Sequence, residues 1–154
     1  MATITTSPVY LALDVGDVRV GLALSRSGIL AEPLTTLTRT AKSQILNEIA
    51  AIIEREKVTV CVLGLPFLAS GQEGEQAEKT RAFGRSLARK LPALRIIFRD
   101  ERYSSAMASD VIQANGLGGG KGRVDRLAAA IILQGYLDDL ALEKKSQNSG
   151  TSTP

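Results

Sequence analysis

Three carboxylates stand where the chain changes from one kind of element to another. Asp14 follows the apolar run LAL and precedes Val15-Gly16, Glu101 follows the segment RIIF, and Asp125 opens a last amphipathic stretch. Acids brought to one rim repel one another, so their gathering makes chemical sense chiefly around a hard divalent cation, and all-oxygen donors suit Mg2+ or Mn2+. A pair of such ions about 3.5 to 4 Å apart lowers the pKa of an attacking water and stabilises the leaving oxygen of an in-line displacement at phosphorus. Asp14, on a central strand, is the ligand placed to bridge, with Glu101 and Asp125 flanking it. The chain contains no histidine, which removes imidazole metal sites and every serine or cysteine mechanism that needs a histidine base. Each acid also has a purely structural use. Asp14 before Val15-Gly16 is good turn chemistry, Asp125 in a first helical turn suits the helix dipole, and Asp100 and Glu101 can pair with Arg99 and Arg102 for about 0 to 1 kcal/mol.

The elements that must deliver these residues are visible as changes of period. Residues 9 to 13 form a short apolar strand, and VRVGLALS alternates Val18, Val20, Leu22 and Leu24 on one face, as a half-buried strand does. A third strand is predicted over Gly28 to Pro33. Ile45, Leu46, Ile49, Ile52 and Ile53 then recur at helical spacing. VTVCVLGL is a continuous β-branched run of the kind covered on both faces of a sheet. A second helix from about Glu75 to Leu91 carries Phe83, Leu87 and Leu91 on one side and Arg81, Arg85 and Arg89 on the other. RIIF is a strand, Ser104 to Ala114 a third helix, and a fourth helix runs from near Val124 to near Leu140. The polar residues 141–154 are predicted to be a disordered tail and residues 1–8 a flexible start, leaving one domain over 9–140. Three strands followed by strand-helix alternation indicate an α/β fold: a mixed five-stranded sheet with helices on both faces. If strands one, four and five run parallel, their carboxyl ends share a rim, which is where α/β sheets build sites.

At 154 residues, 44% hydrophobic and 23% charged, the chain has the balance of a soluble globular protein, and no apolar run reaches the roughly 20 residues that span a bilayer. No membrane partner is expected, and the cytoplasm is the default compartment. The single cysteine, Cys61, lies inside an apolar run and reads as a buried structural thiol. The net charge of +3 permits a polyanionic partner, and its distribution favours one: eight basic residues against two acids lie between Lys79 and Arg102. Arg102, Lys121 and Arg123 are the candidates to hold phosphates, the last two near a helix N-terminus. The segment GLGGGKG lacks the Gly-Lys-Ser/Thr ending of a P-loop and reads as a connector.

LALDVGDVRVGLALS, VCVLGLP, GQEGEQAEKTRAFGRSLARKL, DERYSS and VDRLAAAIILQGYLD, in that order, resemble the YqgF family of bacterial proteins, also called RuvX-like Holliday junction resolvases and pre-16S ribosomal RNA nucleases. The resemblance covers Val9 to Asp138. It implies a ribonuclease H-like fold, with the family's metal-binding aspartate at Asp14, its Asp-Glu-Arg glutamate at Glu101 and its Val-Asp aspartate at Asp125. It further implies a metal-dependent endonuclease that leaves a 5′-phosphate and a 3′-hydroxyl, with Mg2+ or Mn2+ as cofactor. The implied partners are precursor rRNA, branched DNA or ribosomal particles, met as a monomer or homodimer. Two positions depart from the family: Leu68 and Ser70 replace the polar residues usual after Gly-Leu-Pro, and GLGGGKGR replaces a lysine-rich run. Cleavage of rRNA, resolution of branched DNA and non-catalytic RNA binding during ribosome assembly all remain open at this level. DVGxxxxGLAL also resembles the phosphate turn of sugar kinases and actin-like ATPases, but those pair two such domains around a nucleotide.

Overall fold

In the computed structural model, residues 7–68, 70–101 and 120–150 are described, with side chains in the last segment over 122–147. The sheet contains β1 (Tyr10–Val15), β2 (Arg19–Ser25), β3 (Glu32–Thr38), β4 (Val60–Leu65) and β5 (Arg95–Asp100) in the order β3-β2-β1-β4-β5. β1 pairs antiparallel with β2, and β2 with β3. β4 lies parallel to β1, and β5 parallel to β4. The mixed five-stranded sheet predicted from the order of elements is therefore observed, and β1, β4 and β5 do end on one rim. The predicted helix over Ser104 to Ala114 lies outside the described residues.

The two faces of the sheet follow from the two-residue period of its strands. Leu11, Leu13, Val15, Val20, Leu22, Leu24, Cys61 and Leu63 join the core beneath α1 (Lys42–Glu56) and α2 (Glu75–Lys90). Ala12, Ala23, Val60 and Val62 face α3 (Gly120–Gly150), which contributes Ala129, Ile132, Leu133 and Leu137. Small residues on β1 and β2 let α3 lie close, and that face is the one on which Asp14 emerges. The five apolar positions predicted for α1 are the five it buries. α1 stops where Lys57 turns left-handed at φ 61° and its N–H returns to the carbonyls of Glu54 and Ile53.

Three expectations change. β2 is covered on both faces, not half-buried, because Gly21 and Ala23 accept α3, while Val18 falls outside the strand and is exposed. The third strand begins at Glu32, not Gly28. Ser25 Oγ accepts the N–H of Gly28, Ser27 Oγ accepts those of Ile29 and Leu30, and Gly28 sits at φ 76°, so side-chain hydrogen bonds hold this stretch as a turn. Pro33 is accommodated because β3 is an edge strand. The last helix begins at Gly120 and continues past Leu140 to Gly150, taking in much of the predicted disordered tail. ALEKK offers strong helix formers, and with no proline or glycine between Leu140 and Gly150 propagation adds one hydrogen bond per residue even though 141–147 are exposed.

Cys61 is fully buried in β4, and burial pushes its thiol up to about 12. Since the thiolate is the reactive form, native protein should resist alkylation at pH 8 while protein in denaturant is labelled at once. Comparable labelling rates in the two states would contradict this.

Candidate active site

Asp14 is the last residue of β1 on the α3 face, in line with Tyr10 and Ala12, and its backbone partner on β2 is Gly21. On the other side of β1, β4 presents Gly64 one position beyond the Leu13–Leu63 pair. The acid is thus flanked by two residues without side chains, and each glycine has a separate reason to be one. A Cβ on Gly21 would lie 2.0 Å from the backbone oxygen of Asp125, so α3 rests directly on β2 there and brings Asp125 over Asp14. A Cβ on Gly64 would lie 2.5 Å from Ile132 Cδ1 and 3.3 Å from Glu101 Cγ. Glu101, whose N–H donates to the Leu65 carbonyl at 2.9 Å, follows β5 on the same face. The three acids named from the sequence therefore share one face and one rim.

Their surroundings differ. Burial, with the nearby charge of Asp125 second, raises the Asp14 carboxyl from 3.8 to about 6. Asp125 accepts from Arg19 Nε at 2.5 Å, and Glu101 accepts from Arg99 Nε at 2.5 Å. Arg99 also reaches Asp139 and packs under Gly135 of α3. Among the described residues no three acids are gathered closely enough to hold an ion as they stand: Asp14 and Asp125 adjoin, and Glu101 is drawn to Arg99. The donor set itself fits a hard divalent cation, being all carboxylate and including one buried acid whose ionisation the apo protein resists.

Arg19 was not singled out by sequence reasoning and Arg99 was named only as an ion-pair partner for Asp100 and Glu101, although a signal was present for both. Arg99 lies two residues before Glu101 and so on the same strand face, and Arg19 begins the strand opposite Asp14. Of the predicted phosphate-binding residues, Arg123 lies half-buried in the first turns of α3 and Lys121 is in the same turn. Arg102 and the side chain of Lys121 lie outside the described residues. The arginines of α2 are engaged locally: Arg81 pairs with Glu73 and stands 5.3 Å over the Phe98 ring, Arg85 pairs with Glu78, and Arg89 donates to Ser86 Oγ. Leu68 is exposed beyond β4 in a turn closed by its own N–H to Gln72 and by Gly71 at φ 86°.

A family model described as RuvX, Holliday junction resolvase, matches residues 8–139. A relative from Fusobacterium nucleatum named "Putative pre-16S rRNA nuclease" is 41% identical over 133 residues, covering 84% of this chain and 96% of the relative. One of the same name from Streptomyces avermitilis is 36% identical over 143 residues, covering 91% and 92%. Among solved structures, the chain is similar to the Thermus thermophilus RuvC bound to a Holliday junction substrate, with a TM-score of 0.57 at 12% identity over 88% of this chain and 97% of that one. It is likewise similar to the Fowlpox virus resolvase bound to junction DNA, with a TM-score of 0.55 at 12% identity, covering 86% of this chain and 98% of the resolvase. At such identity these two likenesses speak for the fold, the ribonuclease H-like one.

Proposed function

The chain belongs to the RuvX family, matched from residue 8 to residue 139, and from that premise we propose that it is an endonuclease that hydrolyses phosphodiester bonds, processing the 5′ end of pre-16S rRNA. The observation that carries the reading is the convergence of Asp14, Asp125 and Glu101 on one face at the end of the parallel strands, with Asp14 resisting ionisation in the apo protein. Asp14 and Asp125, joined by Glu101, would hold Mg2+ or Mn2+. When bound, the cation supplies a water acidic enough to attack phosphorus and a charge to stabilise the leaving oxygen. Arg19 and Arg99, each donating to one of these acids, would orient Asp125 and Glu101. Arg102, Lys121 and Arg123 would hold substrate phosphates near the N-terminus of α3. Precursor ribosomal particles in the cytoplasm are the setting this substrate implies.

The relatives' name favours RNA, and the description of the family model favours a four-way DNA junction as the second reading. Incubating the protein with a precursor of 16S rRNA and, separately, with a four-way junction in Mg2+ separates the two. RNA cut at a defined 5′ site is expected. Mg2+ or Mn2+ should be required and Ca2+ should support cleavage poorly, because its longer bonds and looser coordination misplace the attacking water. Undiminished cleavage in excess chelator would remove the metal from the reading, and RNA binding without cleavage in any metal would turn it toward a non-catalytic assembly factor.

A further inference from the structure

α1 and α2 leave a groove between them that no part of the site described above uses. It begins at the β1–β2 turn with a cavity of about 460 Å³ lined by Asp17, Arg39, Lys42 and Lys79. It continues into a second of about 580 Å³ where Lys42 recurs with Arg89 and Lys90. Among the described residues, five cations against one carboxylate line the two cavities. From α2 the lining takes Lys79, Ser86, Arg89 and Lys90, while Arg81 and Arg85 are paired with Glu73 and Glu78. Arg39 is fixed, donating from Nη1 to the Gly16 carbonyl at 2.8 Å with its guanidinium 5.4 Å over the Phe83 ring. Lys79 is tethered between Asp17 and Glu75. Lys42, Arg89 and Lys90 are exposed, and none of them makes an ion pair among the described residues.

The groove starts close to the candidate active site. Asp17 is three residues beyond Asp14, a reach of at most about 10 Å, and the same turn returns through the Gly16 N–H and the Arg19 carbonyl to the arginine that holds Asp125. The groove lies on the α1–α2 side of the sheet and Asp14 on the α3 side, so a strand passing from one to the other would round this turn. We propose that the α1–α2 groove is a phosphate track for single-stranded RNA, holding the backbone of the strand that flanks the scissile phosphate. This rests on the nuclease reading and extends it. Among the described residues the groove exposes no aromatic platform, its Phe83 being buried, so the contacts they offer are with phosphates and carry no base preference.

The test compares two triple variants of equal charge loss. Lys42→Gln, Arg89→Gln and Lys90→Gln together empty the groove of its unpaired cations. Arg55→Gln, Arg85→Gln and Lys144→Gln together remove three exposed charges elsewhere. The affinity of each for a 20-nucleotide single-stranded RNA is read by fluorescence anisotropy in chelator across a salt series, with circular dichroism to check folding. Each lost phosphate contact lowers the salt slope by about 0.7, so the groove variant should lose about 2 units of slope and roughly tenfold in affinity at low salt, and the control far less. Equal losses in both variants, with RNA still bound by the unaltered protein, would overturn the track while leaving the nuclease reading in place. An unaltered protein that neither binds nor cuts RNA would overturn both.

Discussion

Asp14→Asn is expected to reduce phosphodiester hydrolysis by at least about 10² to 10³-fold, the scale on which a single electrostatic contact to the reacting centre is lost, while the apo protein becomes more stable. The amide keeps the shape of the side chain and loses the charge that would hold the cation. The stability change follows from the raised pKa. Because the folded carboxyl titrates near 6 and the unfolded one near 3.8, the folded state holds its proton longer. Stability is therefore free of this penalty below about pH 4, falls as pH rises from about 4 to 6, and stays lowered above it by about 3 kcal/mol at 1.36 kcal/mol per unit. Urea unfolding in chelator should show Asp14→Asn and the parent converging near pH 4 and separating by about 2 to 3 kcal/mol at pH 7. Adding Mg2+ should restore ground to the parent alone, since an ion bound only by the native state stabilises it by mass action. Near-normal turnover of the variant in Mg2+ would remove Asp14 from the site, and a parent-variant gap independent of pH would remove the penalty.

Gly21→Ala is expected to be among the most damaging single-methyl additions this chain can suffer. The added carbon would sit 2.0 Å from the Asp125 oxygen and 2.3 Å from its carbonyl carbon, both backbone atoms of a helix packed along β1, β2 and β3. No rotamer relieves that overlap. Overpacking ordinarily costs about 1 to 3 kcal/mol, and here α3 must lift from β2, so the loss should reach or exceed the top of that range and carry Asp125 away from Asp14. Gly64→Ala is the informative partner: its new carbon meets Ile132 Cδ1, the tip of a flexible side chain, at 2.5 Å. That variant should lose less stability and keep measurable activity. Equal denaturation midpoints for the two would mean that α3 does not rest on Gly21 as described.

The three acids of the candidate site could be picked out of the sequence because strand ends and helix starts leave local marks. Asp14 interrupts an apolar run, Glu101 ends another, and Asp125 opens an amphipathic segment. The mixed sheet followed from the order of elements, while the parallel run of β1, β4 and β5 entered only as a condition, one of the few topologies such crossovers leave. The core of α1 was legible to the residue, because only a 3.6-residue period places Ile45, Leu46, Ile49, Ile52 and Ile53 on one side. The start of β3 was not, because two serine side chains compete for the backbone and extend the turn to Leu30.

What the tertiary structure alone decided is the electrostatic condition of Asp14 and the ion pairing of Asp125. Raising the Asp14 carboxyl requires burial by β2 and α3 together with the charge of Asp125, which is 111 positions away along the chain. The pairing of Arg19 with Asp125 spans 106 positions and exists because Gly21 lets a helix backbone touch a strand. The groove of Arg39, Lys42, Lys79, Arg89 and Lys90 likewise draws on β3, α1 and α2. Residue type and local period set which groups a chain carries and which way each points on its own element. Charge coupling and desolvation depend on through-space distance, and that is fixed only when the elements pack.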